Sequence, residues 1–177
     1  PATKYPPLFP ALLSLAWLGD LGYPENVAVA QALVGLFGLL FIPACYLAIR
    51  KMGAGRVWAL ALTAITVFHP LFMLMQLSAA SELVFFAFTY GAVVCFETSS
   101  DGERSALDRR LLWAGGAALC LAATLTRSLG LAVAIGAGGY FASRRMWLLS
   151  AGALVPGILG VLLPAYWASL QVSPSVA

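Results

Sequence analysis

Charge is what this chain has least of. Asp, Glu, Lys and Arg together supply 10% of its 177 residues, there is a single His, and the longest hydrophilic stretch runs only from Glu97 to Arg110. A soluble domain needs a polar exterior, so this scarcity excludes one. Cysteine is also rare: Cys45, Cys95 and Cys120 each lie inside apolar stretches without a partner motif. That excludes a disulfide framework or a cysteine metal cluster and leaves three small buried side chains. No phosphate-loop glycine pattern, internal repeat or intramembrane carboxylate chain occurs. The net charge of +3 is carried at the ends of apolar runs, so nucleic acid is not an expected partner.

What remains is apolar: hydrophobic residues make up 62% of the sequence and the mean hydropathy is +0.92. A bilayer core takes about 20 apolar residues per helix, and fewer when the helix is surrounded by others. The expected fold is therefore an all-α integral membrane bundle of about six transmembrane helices, at roughly 27–49, 57–77, 82–96, 111–126, 128–143 and 147–167. The apolar run 57–96 is twice what one helix needs and divides at the polar cluster Gln76, Ser78, Ser81 and Glu82. The run 111–143 divides at Arg127, which returns Arg109/Arg110 and Arg144/Arg145 to one side of the membrane.

Residues 1–26 are too interrupted by Pro and Gly to span, and are expected to form an outer-face Pro-rich loop with a short interfacial helix. Tyr5, Trp17 and Tyr23 suit that depth. Residues 170–177 are expected to form an outer-face tail. With this topology Arg50, Lys51, Arg56, Arg104, Arg109, Arg110, Arg144 and Arg145 share one side, and only Lys4 and Arg127 lie on the other. Basic residues accumulate in the cytoplasm, so the N-terminal segment, Glu82 and Arg127 are expected on the outer or luminal face. The absent initiating Met and missing leader pattern are read as an internal fragment of a longer protein.

Two residues are candidates for the site on chemical grounds. Arg127 is permanently charged, and its planar fork suits a phosphate or carboxylate; the alternative is that it snorkels to headgroups or pairs with Glu82. Glu82 either complements the positive end of the third span, where Ser78 or Ser81 can cap, or stands beside Arg127 in a polar site. His69-Pro70 is expected to bend the second span, with His69 filling the gap left by the missing amide donor. Asp20 and Glu25 read as turn and cap residues, with metal binding or base catalysis left open. Gly115-Gly116 and Gly136-Ala137-Gly138-Gly139 are expected helix-packing surfaces.

The order Tyr5-Pro6-Pro7-Leu8-Phe9-Pro10, Ser81-Glu82-Leu83 and Leu125-Thr126-Arg127-Ser128-Leu129-Gly130 resembles the membrane glycosyltransferases of the GT-C class, the protein-mannosyltransferase-like and GPI-mannosyltransferase-like families above all. The resemblance implies transfer of a sugar from a polyprenyl- or dolichyl-phosphate-linked donor to a glycan, lipid or protein acceptor at the outer or luminal face. It implies Arg127 as the ligand of the lipid phosphate, Tyr5, Pro6 and Pro7 with the rest of the stretch to Pro10 as the lining of the outer cavity, and a catalytic acid upstream of the Tyr-Pro-Pro stretch, so no catalytic residue is assigned here. No cofactor is certain and a divalent metal stays open. The membrane would be the bacterial inner or plasma membrane, or the endoplasmic reticulum of a eukaryote. A secondary transporter and a non-catalytic assembly subunit are the alternatives.

Overall fold

The structure, a computed structural model, describes residues 6–17, 22–102 and 105–171. Among the described residues it is all helical: α1 (Leu8–Ser14, continued by a 3-10 turn Leu15–Trp17), α2 (Glu25–Lys51), α3 (Arg56–Val67), α4 (Pro70–Leu77), α5 (Ser81–Ser99), α6 (Ala106–Thr126), α7 (Gly130–Ser143) and α8 (Trp147–Gln171). Of these, α2, α5 and α8 are long and apolar enough to cross a membrane, and α3 with α4 makes a fourth if the bent pair counts as one span. This is the construction of a helical membrane protein. The 21-residue α6 carries Asp108, Arg109 and Arg110 near its start, and α7 has only 14 residues. The last helix runs on to Gln171, so residues 170 and 171 belong to α8; the rest of the expected tail lies outside the described residues.

The second expected span, 57–77, is two helices set 53° apart. Pro70 has no amide hydrogen, and the first turn of a helix is where that loss is harmless. It takes that place in α4, with His69 as the N-cap. The imidazole does not supply a missing donor; Nδ1 accepts the Leu71 amide at 3.2 Å. The far end of α4 is tied to α2, where Gln31 Nε2 donates to the Leu77 carbonyl at 2.7 Å. Ala79 then takes a left-handed backbone (φ +49°) that turns the chain into α5, with the Ala80 amide reaching back to the Met75 carbonyl at 3.1 Å. This is the usual way to satisfy the last carbonyls of a helix, although glycine is the residue that adopts it freely.

Two apolar cores meet on α5. On one side Val34, Phe41 and Cys45 of α2 and Phe72 of α4 close on Leu83, Val84 and Ala87. Phe41 centres an aromatic set with Phe72, Phe86 and Tyr90, at centroid distances of 5.6, 6.0 and 5.1 Å. On the other side Ala92 and Phe96 pack with Cys120, Ala134, Phe141 and Ala153 from α6, α7 and α8. Small residues allow this approach, since apolar helices in lipid associate through close packing rather than by escaping water. Gly116 lies under the Phe96 ring, where an added Cβ would come within 2.8 Å, and Gly138 lies under Leu154. Gly136 and Gly139, expected in the same role, face open space. The denser seam is on α8, where Gly152, Gly157 and Gly160 meet Trp113, Ala134 and Thr124. These contacts run α6 and α8 in the same direction and α7 against both.

Two stability outcomes follow, both measured as thermal midpoints of detergent-solubilised protein. A Cβ on Gly152 would fall within the Trp113 ring, so Gly152→Ala should cost about 1–3 kcal/mol, while Gly136→Ala should be near neutral. Ala79→Gly should stabilise by about 1 kcal/mol by removing the left-handed strain. Equal midpoints for the two glycine variants would contradict the packing described for α6 and α8.

Candidate functional site

Arg127 stands where α6 ends. Its backbone is extended (φ −149°, ψ 136°) and its amide closes the last turn on the Ala123 carbonyl at 2.9 Å. Ser128 and Leu129 then reverse the chain, with Gly130 N donating to the Arg127 carbonyl at 2.8 Å. Gly130 lies so close to the backbone of Thr124 that a Cβ there would collide with it. The reversal is thus held tightly to α6, and the guanidinium projects from its rim.

The start of α5 lies beside that rim. Glu82, in its first turn, forms a salt bridge through Oε1 to Arg127 Nη1. The carboxylate also complements the helix dipole, so two favourable fields act on it. No side chain caps α5: Ser78 Oγ donates to the Met75 carbonyl at 3.3 Å instead, and the N-cap is Ala80. The two ion-paired side chains keep 35% and 28% of their surface exposed, so solvent or a ligand can reach both.

Arg127 borders a cavity of about 560 Å³, with Glu82 joined to it by the salt bridge. Arg127, Thr126 and Ser128 form one wall and Ser81 another, while Pro6, Phe9, Pro10 and Leu13 close it from α1 and the segment before it. Thr126 Oγ1 donates to the Ala122 carbonyl at 2.7 Å, leaving the guanidinium as the strong donor of the cavity. Of the sequence candidates, the structure brings Glu82, Arg127 and Pro6 together. Pro7 sits at the N-cap of α1, exposed and away from the cavity wall. Tyr5 and Asp20 lie outside the described residues. Glu25 opens α2 in its first turn. Phe9 and Pro10 belong to the stretch from Tyr5 to Pro10 that the resemblance places on the cavity wall, whereas Leu13 was not singled out from sequence; its place one turn after Phe9 on a short helix was the available signal.

Among the described residues no three His, Cys, Asp or Glu side chains gather in a way that could hold a metal ion. The three cysteines are free thiols. His69 faces a different space, an apolar groove of about 340 Å³ shared with Phe41, Phe72, Phe86 and Tyr90. Comparison with known proteins returned no match to a protein-family model, a curated protein or a solved structure.

The ion pair can be tested directly. A double-mutant cycle of Glu82→Gln and Arg127→Gln, read by thermal unfolding in detergent, should give a coupling on the order of 1 kcal/mol, the scale of a partly exposed pair. Strict additivity would mean that the two side chains do not meet.

Proposed function

We propose that this chain forms the membrane-embedded body of a glycosyltransferase that moves a sugar from a polyprenyl- or dolichyl-phosphate-linked donor to a glycan, lipid or protein acceptor at the outer or luminal membrane face. The observation that supports it is a partly exposed arginine lining a cavity with apolar and polar walls. A lipid-phosphate donor is an anion on an apolar chain, and this cavity offers a surface to each part. In the transfer an acceptor hydroxyl forms the new bond to the anomeric carbon while the bond to the carrier phosphate breaks. Charge then grows on the departing phosphate, and a fixed cation beside it lowers the barrier. Arg127 takes that role in the proposal, with Glu82 orienting it and Pro6 lining the approach. None of the candidate residues is assigned as the base that removes the acceptor proton.

A topology accompanies this reading. If α2, the α3–α4 pair, α5, α6, α7 and α8 each cross the membrane, the crossings number six, and Arg127 lies opposite Arg50, Lys51, Arg56, Arg109, Arg110, Arg144 and Arg145. The basic side is then cytoplasmic. The 14-residue α7 would be a short span, acceptable where a helix is packed among neighbours rather than exposed to lipid on all sides. The order of the Tyr-Pro-Pro, Ser-Glu and Thr-Arg-x-x-Gly stretches, which resembles the GT-C class, supports the same assignment.

One observation favours a second reading. Arg127 already has a carboxylate partner, and a self-neutralised pair is what a non-catalytic assembly subunit would need to keep two charges in a bundle. The two readings separate in a transfer assay with radiolabelled polyprenyl-phosphate sugars and membranes containing the full-length parent protein. Arg127→Ala at matched expression should reduce transfer by roughly 10- to 100-fold, the scale of one lost charge-assisted contact. No transfer by the unaltered protein with any donor sugar would leave the assembly reading standing.

A further inference from the structure

The bundle end opposite Arg127 carries a second cavity, of about 260 Å³, lined by Ser99, Ala106, Arg109, Arg110, Trp113 and Leu149. It lies where α5 ends and α6 and α8 begin. The acid nearest in sequence, Asp108, is turned to another task. Ser105 Oγ accepts the Asp108 amide at 3.1 Å and donates to Asp108 Oδ2 at 2.7 Å, a side-chain N-cap that starts α6. Neither Arg109 nor Arg110 has a side-chain hydrogen bond or ion pair with a described residue, and both are exposed. Ser99 cannot serve as a donor here, because its hydroxyl is spent on the Phe96 carbonyl at 2.7 Å. The cavity is therefore a mainly apolar pocket, lined by Trp113 and Leu149, with two arginines in its wall.

The side chains next to these lining residues in sequence point to the ligand class. Leu107 and Leu111, flanking the two arginines on α6, are 67% and 63% exposed, and Trp147 and Leu148 at the start of α8 are 67% and 88% exposed. Cations directly beside bare apolar side chains and a Trp are what a headgroup region accommodates, with the charge at phosphate depth and the apolar groups in the acyl layer. We propose that this cavity is a binding site for the phosphate of an anionic phospholipid, held by Arg109 and Arg110 with the glycerol and first acyl carbons against Trp113 and Leu149. Arginine suits this role because its planar fork engages two phosphate oxygens at once. The site is separate from the Arg127 cavity and does not depend on the transfer reaction.

The test is a titration of the full chain in a non-ionic detergent with a fluorescent phosphatidylglycerol. Saturable binding is expected, and Arg109→Gln/Arg110→Gln should weaken it about tenfold or more. The control is Arg144→Gln/Arg145→Gln, which removes the same charge from the same end of the bundle, where Arg144 stacks 4.4 Å from the Tyr140 ring centroid. That pair should change binding by less than about twofold. Equal weakening by both pairs, or by neither, would overturn the site in favour of diffuse attraction or none. Unlabelled phosphatidylglycerol should displace the probe, whereas inorganic phosphate at equal concentration should not. Displacement by phosphate would reassign the cavity to a free anion, and equal displacement by phosphatidylcholine would remove the arginines' role. If the Gln pair no longer elutes as a single species, Arg109→Lys/Arg110→Lys replaces it. Keeping charge but losing the fork should weaken binding about threefold, and unchanged binding would overturn the forked contact.

Discussion

A guanidinium in an otherwise apolar chain must find an anion or water, because it does not lose its proton to escape burial. Much of the architecture around residues 78–130 serves that requirement. The chain stops α6 at Thr126, extends through Arg127 and reverses before Gly130, which puts the side chain at a helix end instead of mid-helix. The left-handed turn at Ala79 begins α5 at Ser81, so Glu82 falls in its first turn and meets Arg127. The aromatic and proline side chains of α1 then cover the opening while leaving space beside the pair. A charge that had to be accommodated thus sits in a cavity, where it can also bind.

The rest of the bundle is organised by shape. In lipid, burying Leu against Leu gains little over leaving it against acyl chains, and small side chains that let backbones approach decide which helices associate. Phe96 over Gly116 fixes α5 against α6, and Trp113 over Gly152 fixes α6 against α8. Phe41 holds α2 and α4 to α5 through three ring contacts. By contrast Val57, Trp58, Leu60 and Ile65 on α3 and Leu162, Leu163 and Trp167 on α8 remain exposed, as suits surfaces that meet lipid. The two ends of the bundle differ in chemistry: one holds Arg127 paired with Glu82 beside α1, the other two arginines without an ion pair to a described residue, next to exposed apolar side chains.

Several elements were legible in the residues before any coordinates. Apolar length located α2, α5 and α8 within a few residues, and the Pro- and Gly-bounded run after residue 7 marked a separate short helix. Pro70 announced a disruption of the second span, because a residue without an amide hydrogen cannot continue a helix unnoticed. Whether that disruption was a bend or a break with a new cap depended on whether His69 Nδ1 could turn to the Leu71 amide, and composition does not encode that. Likewise Gly115-Gly116 and Gly136 to Gly139 looked alike as small-residue runs, yet only Gly116 and Gly138 lie so close beneath a neighbouring side chain that a Cβ would collide with it. Helix rotation about its own axis makes that choice, and the large partners that set it, Phe96 and Leu154, are distant in sequence.

The sequence by itself determined that the chain is helical and apolar, where its breaks fall, and that Arg127 and Glu82 needed company. Those properties follow from local hydrogen bonding and from the cost of charge in hydrocarbon, which each segment carries alone. Only the tertiary structure decided that the two charges meet each other, that Pro6 joins their cavity while Pro7 turns away, and that Arg109 and Arg110 share a second cavity with Trp113 and Leu149. Such groupings depend on helix direction, rotation and the side chains facing across each seam, which are settled by packing between segments far apart in the chain.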